Sequence, residues 1–413
     1  MKIFSVYVII HLMISHYMIL SRDYIIYVNH EIKSVIDSAS AGDRIIVKGG
    51  KYLWQNVVIE KPLELIGENF PVIDGLRKGD ILIVRSNNVI IRGFVFRESA
   101  SGSMRDYAAL KIENSSMCEI SGNIFLDNFF SIHVSGSSKI RINGNYIKSN
   151  AVSESSSGNG IHLWKCDSNI IENNIISGHR DGIYFEFVKY SKVKNNLSCY
   201  NLRYGLHFMF SNNDEYLDNI FIKNGAGVAV MYTKDVKMFR NFFIDNWGPN
   251  SYGLLLKDIT DSEIGKNYFE NNTVGLYAEG SNRIIINSCL FKSNGWAIKM
   301  LGNCENNYTT GSVFLLNSFD VTTNSSSTMS RFEANFWDKY SGFDVNRDGT
   351  GDIPYYPVTL YSVMVETIPE SIFLLRSLVV DIIDLAEKVI PVLTPGNLFD
   401  DKPLMRNPLY SGS

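Results

Sequence analysis

The chain has 413 residues, is 45% hydrophobic and 20% charged, and carries a formal net charge of −4 at neutral pH. A mildly acidic chain without a long basic run is not built to bind nucleic acid. Five cysteines, at positions 118, 166, 199, 289 and 304 and with no Cys-x-x-Cys among them, make neither a disulfide framework nor a zinc site. Most are expected as small buried residues on inward positions.

Residues 1–22 open with Lys2 and an apolar run from Ile3 onward. That is the pattern of a secretory signal or an uncleaved anchor, and it implies export. No small-x-small cleavage site precedes Arg22-Asp23, which leaves the choice between the two open. Residues 23–116 read as an N-terminal cap and the first, irregular coils of a repeat. Within them Glu31-Ile-Lys-Ser-Val-Ile-Asp-Ser has helical spacing and is expected to cover the open end of a stack, where unpaired backbone groups would otherwise face water.

From Met117 to Ser325 the chain repeats. Gly160-Ile-His-Leu-Trp is followed by Gly182-Ile-Tyr-Phe-Glu, Gly205-Leu-His-Phe-Met, Gly227-Val-Ala-Val-Met, Gly253-Leu-Leu-Leu-Lys, Gly275-Leu-Tyr-Ala-Glu and Ala297-Ile-Lys-Met, at intervals of 22, 23, 22, 26, 22 and 22 residues. An apolar column stands in front, from Phe125 through Phe221, Phe243, Phe269 and Phe291 to Phe314. A third column is nearly all asparagine, from Asn123 to Asn267, with Cys289 closing it. A period near 22 with alternating apolar residues and no helical spacing predicts an all-β right-handed parallel β-helix, one coil per repeat. The asparagines are expected at corners, each amide bonded to the next along the stack and tolerating left-handed angles, and the glycines are expected to supply a turn angle that other residues resist. Residues 99–106 and 151–158 and the stretch at Trp247-Gly-Pro-Asn-Ser-Tyr are insertions that decorate one edge.

Residues 326–413 leave the pattern. Asp344-Val-Asn-Arg-Asp-Gly-Thr-Gly-Asp352 offers side-chain oxygens at Asp344, Asn346, Asp348 and Asp352 with glycine at the sixth position, like the front of a calcium loop. Tyr355 stands where an EF-hand has its bidentate acid, and a hydrogen-bonded Asx turn without metal explains the same residues. Ile372 to Val389 is amphipathic; Arg376, Asp381, Asp384, Glu387 and Lys388 interrupt it, which argues against a membrane span and for a helix that caps the solenoid or docks on a partner.

Chemistry belongs on the outward columns. His207, Met209 and Met231 fall within one or two coils of each other, a soft donor set suited to Cu(I). Methionine filling gaps under a covering protein explains the same residues. Tyr184, Glu186 and Tyr232 are expected to complete a partner-facing patch. Asp181, Glu186, Asp258 and Glu279, together with tyrosine and tryptophan, suit a sugar instead, and a carboxylate pair at about 5–9 Å would permit glycoside cleavage.

Several strings carry a more specific resemblance: Gly178-His-Arg-Asp-Gly-Ile-Tyr-Phe-Glu-Phe, Leu202-Arg-Tyr-Gly-Leu-His-Phe-Met, Gly225-Ala-Gly-Val-Ala-Val-Met-Tyr, Tyr252-Gly-Leu-Leu-Leu-Lys and Asp344-Val-Asn-Arg-Asp-Gly. Over nearly the whole chain from Asp23 to Met405 it resembles the NosD family. That resemblance implies a periplasmic β-helix protein, itself not an enzyme, working with the permease and ATPase subunits of an ABC transporter. It implies a part in maturing nitrous-oxide reductase, whose copper centres are built after export, with a copper chaperone as donor. It assigns no copper ligands. A carbohydrate-binding or glycan-cleaving β-helix protein is the alternative that the same resemblance leaves open.

Overall fold

The computed structural model describes residues 21–102, 105–301, 303–324, 329–390 and 398–410; the N-terminal run through Leu20 lies outside these residues. The described chain winds into a parallel β-helix whose three sheets have fourteen, thirteen and twelve strands. Apart from the first two strands, which are consecutive, the neighbours in each sheet are strands three apart in sequence, so every coil adds one strand to each face. The stacking begins at Asp23–Ile26 and continues to Phe336–Trp337.

The interior follows from the alternation of apolar and polar residues in the short strands. Register partners along the thirteen-stranded sheet run Phe221, Phe243, Phe269, Phe291, Phe314 and Trp337, all fully buried or nearly so. Their rings stack at 4.0 to 5.6 Å, which adds dispersion to the apolar burial. Four cysteines are buried and Cys199 is half-buried; all five are free thiols.

The asparagine ladder is present. Each Nδ2 donates to the next Oδ1 from Asn123 through Asn145, Asn174, Asn196, Asn219 and Asn241 to Asn267, at 3.0 to 3.2 Å. The left-handed angles sit one residue earlier than expected, at Gly122, Gly144, Asn173, Asn195, Asp218, Arg240 and Lys266. The ladder amide has to point inward to meet its neighbours, so the corner is turned by the residue before it. A second ladder, not read from the sequence, runs through Asn246, Asn272, Asn294 and Asn317.

The glycine column also differs from expectation. Gly182, Gly205, Gly227, Gly253 and Gly275 lie inside strands, outside the left-handed region. Glycine is needed there for space: a Cβ on Gly182, Gly205, Gly253 or Gly275 would stand 2.6 or 2.7 Å from the carbonyl oxygen of the next coil.

The first helix, α1 (Ile32–Ser38), buries Ile32 and Ile36 at the N-terminal end. At the other end Asp400 accepts hydrogen bonds from Asn335 Nδ2 and Trp337 Nε1, both at 3.0 Å, and so terminates a ladder. Two helices follow the last coil, α2 (Leu360–Thr367) and α3 (Leu378–Val389). They cluster around Phe319, Tyr361, Val365 and Val380, against the end of the twelve-stranded sheet. No described helix is long and apolar enough to cross a membrane.

Candidate functional site

The twelve-stranded sheet turns an outward face built from three columns. Its middle column is in register from Lys111 through His133, His162, Tyr184, His207, Ala229, Leu255 and Tyr277 to Lys299. Two residues further along each strand stand Trp164, Glu186, Met209, Met231, Lys257 and Glu279, in register with one another. The third column precedes each glycine by one residue and includes Asn159, Asp181, Tyr204 and Tyr252. Sequence reasoning passed over it apart from Asp181, although the glycine period locates it.

The centre of this face is sunken. His133, His162 and His207 are buried although they stand on an outward column. His207 is closed in by Tyr184 and Tyr204, each with its ring centre 4.8 Å away. The Asp181 carboxylate accepts two hydrogen bonds from Arg203, at 2.9 and 2.5 Å, and lies 3.8 Å from His207 Nδ1. Burial disfavours the charged carboxyl, but hydrogen bonds from His207 and Arg203 outweigh it and hold the group down at about 2. Burial lowers the His207 pKa although Asp181 works the other way. Burial likewise pushes the Tyr184 hydroxyl up to about 12. Asp181 is therefore a locked anion, and not a group that would deliver a proton to a glycosidic oxygen near neutral pH.

Met209 and Met231 are register partners on adjacent strands and both are half-buried. The Tyr184 hydroxyl donates to Met209 Sδ at 3.5 Å. His207 Nε2 is buried and has no hydrogen-bond partner. The structure thus gathers His207, Met209, Met231, Tyr184 and Glu186 on one face. Tyr232 sits just over its edge, at the end of an exposed stack with Phe210 and Phe187, ring centres 5.2 Å apart. All three residues of that stack have left-handed backbone angles, which bulky side chains resist. Of the other expected acids, Glu279 lies 3.8 Å from Lys257, and Asp258 turns an exposed corner at φ 52°.

The loop of Asp344, Asn346, Asp348 and Asp352 is far along the chain from this face and folds as a network of Asx turns. Asp344 accepts from Asp348 N and Gly349 N, at 3.2 and 2.9 Å, and Asp352 accepts from Val345 N at 2.6 Å. Asp348 accepts from Thr350 N and Oγ1. Tyr355 reaches inward to Asp320, at 3.1 Å, and belongs to the end of the stack. Among the described residues no group of three or more His, Cys, Asp or Glu side chains is arranged to hold an ion.

Comparison with known proteins agrees with the strings and the coil. The family described as "Periplasmic copper-binding protein (NosD)" matches residues 145–342. Two curated relatives carry the name "Probable ABC transporter binding protein NosD". The one from Stutzerimonas stutzeri is 27% identical over 87% of this chain and 86% of its own length, and the one from Pseudomonas aeruginosa is 27% identical over 90% of each. Among solved structures, a family 28 exopolygalacturonase of Yersinia enterocolitica aligns with a TM-score of 0.57 at 9% identity, covering 75% of this chain and 78% of that one. A DFA-IIIase of Arthrobacter chlorophenolicus aligns with a TM-score of 0.50 at 14% identity, covering 78% and 95%. At that identity the solved structures speak for the parallel β-helix alone. The repeat region, the relatives that align over most of their length and the order of the shared strings together make the chain similar to the NosD family.

Proposed function

We propose that this protein is the periplasmic, non-catalytic accessory subunit of an ABC transporter that matures nitrous-oxide reductase, with Cu(I) as cargo passed over its outer face. ATP hydrolysis then belongs to the cytoplasmic partner, and the permease, a copper chaperone and the reductase are the proteins it meets. The observation that carries the reading is the Met209–Met231 register pair beside His207. Two thioethers and an imidazole favour soft Cu(I) over the hard cations that carboxylates select. Such a set is sparse, which suits a cargo that must be released as well as held. The family's description as copper-binding, and the relatives' names as transporter binding proteins, support the same reading.

The test is genetic and then chemical. A deletion strain should export the reductase but leave at least one of its copper centres unfilled; normal copper content and normal N2O reduction would refute the assignment. Replacing His207, Met209 and Met231 together by alanine should weaken Cu(I) binding or chaperone docking while the solenoid still folds, because all three lie on the outer face. Phe208→Ala is the contrast: Phe208 is fully buried against Phe185 and Tyr216, and truncation should cost about 3–5 kcal/mol of stability. A folded triple variant that binds Cu(I) and supports maturation as before removes the patch from the mechanism.

A further inference from the structure

The three outward faces of the coil are unlike one another. On the fourteen-stranded sheet an outward column carries Lys192, Glu215, Lys237 and Glu263 in register, alternating charges that belong in water. On the thirteen-stranded sheet the outward position that opens each strand is apolar in twelve successive coils, from Val72 to Phe336. Its middle is formed by Ile175, Leu197, Ile220 and Phe242, and Ile175, Ile220 and Phe242 are 39 to 44% exposed.

The second outward column on those four strands holds Ser177, Cys199, Ile222 and Ile244, so four adjacent coils present no charge at all on this sheet. Toward the ends of the strip the charges are matched within the column, Asp74 with Arg97 at 2.7 Å and Glu270 with Lys292 at 2.8 Å. The C-terminal helices gather at the end of the twelve-stranded sheet and do not cover it. Twelve strands at the spacing of a sheet make a strip about 53 Å long, and a three-residue strand with its corner residue makes it about 15 Å wide. Tyr200 and Leu316 are two such corners, both exposed. The strip is then roughly 800 Å² in area, the share that each partner gives to a standard protein interface. An apolar patch of that size on a soluble chain marks a surface that is covered in use.

We propose that this strip is the interface of a dimer, with two copies of this chain lying face to face across their thirteen-stranded sheets. A two-fold interface sets the same patch against itself, which requires that like charges do not meet. An uncharged middle with internally matched ends satisfies that requirement, and it offers a partner recognised by charge nothing to select. The ridges of the strip repeat at the strand spacing of about 4.8 Å. A second solenoid has the same repeat and can nest with it along the whole length, as the inner faces of two packed sheets do. A helix, with a pitch of about 5.4 Å, drifts half a coil out of step within about four turns. The copper patch stands on another sheet, so the dimer leaves it open.

The experiment is sedimentation velocity of the folded full-length protein over a concentration series. At about 10 µM it should sediment at twice the monomer mass, since interfaces of this size hold at micromolar concentration or tighter. Ile220→Asp with Phe242→Asp places four carboxylates in the interface and should return the monomer, with the far-ultraviolet circular dichroism of the parent. Cys199 gives a reading on the unaltered chain: it is the half-buried cysteine of the strip while the other four are buried, so its labelling by a maleimide should slow as concentration rises and the dimer fills. The proposal is overturned by a parent that stays monomeric at 10 µM, by a folded double variant that dimerises as before, or by Cys199 labelling that ignores concentration. It is also overturned by a monomer that instead binds vesicles of phosphatidylcholine and phosphatidylglycerol through Ile220 and Phe242, which would give the strip to a lipid surface.

Discussion

Asp214 shows how one side chain can work against the stack that holds it. It is buried at a corner where the preceding coils place serine or asparagine, and its Oδ1 accepts the Ser191 N–H at 2.8 Å while Oδ2 has no partner. Burial pushes its carboxyl up to about 8. A carboxyl whose folded pKa is raised stabilises most at low pH, and that contribution is lost as pH rises from the unfolded value near 3.8 through about 8. Asp214→Asn keeps the acceptor and removes the titration. It should therefore raise stability at pH 7 by roughly 1–3 kcal/mol, with the gain shrinking toward pH 4. Equal urea midpoints for the two proteins at pH 7 would contradict the burial argument. Gly227 is the opposite case, a residue that fits because it is absent: its Cβ would run into the Gly253 carbonyl, so Gly227→Ala should lower stability by about 1–3 kcal/mol by overpacking. A melting temperature equal to that of the parent would mean that the coils can part at no expense.

Among the elements, α3 stands out for what it leaves uncovered. Leu378, Ile382, Leu385 and Val389 recur at helical spacing and are all exposed, Leu378 by 73% and Val389 by 70%. A regular apolar stripe on a helix whose neighbours already pack against Phe319 is the form a docking helix takes. Leu378→Asp with Leu385→Asp should leave the melting temperature within a few degrees, since neither side chain is buried, and should abolish co-purification with the membrane partners. Unimpaired co-purification would move the docking site elsewhere. The loop of Asp344, Asn346, Asp348 and Asp352 is the other element with a separable prediction. Its oxygens already accept backbone N–H groups, and calcium would add to that network by binding the folded form alone. Stability should then rise by about 2.7 kcal/mol at a hundredfold excess over the dissociation constant; a melting temperature blind to both chelator and millimolar calcium would mean that the Asx turns suffice.

At the scale of the molecule, four buried histidines make the solenoid sensitive to acid. Burial lowers His133 and His179 to about 4 and lowers His162 and His207 as well. Below an unfolded pKa of about 6.5 the unfolded chain takes up protons that the native state refuses. Stability is therefore complete above that value and is lost as pH falls toward 4, with Asp214 and Asp320, whose carboxyls burial raises, opposing it. The urea midpoint should fall between pH 7 and pH 5, and His179→Gln should flatten the slope; a midpoint constant over that range would show that these rings take up protons freely. Much of the solenoid was legible beforehand because its contacts are periodic. Residues 22 or so apart touch, so the columns led directly to the Phe221–Phe314 stack, the Asn123–Asn267 ladder, the outward set of His207, Met209 and Met231, and the family strings. What the period could not convey is depth and pairing. The residue that turns each corner, the steric need for glycine within the strands, the burial of His207 beneath Tyr204 and the capture of Asp181 by Arg203 all depend on side-chain reach between coils. The covering of Phe319 by α2 and the ending of a ladder on Asp400 depend on C-terminal segments that carry no repeat, and only the folded chain brings these to the face they shape.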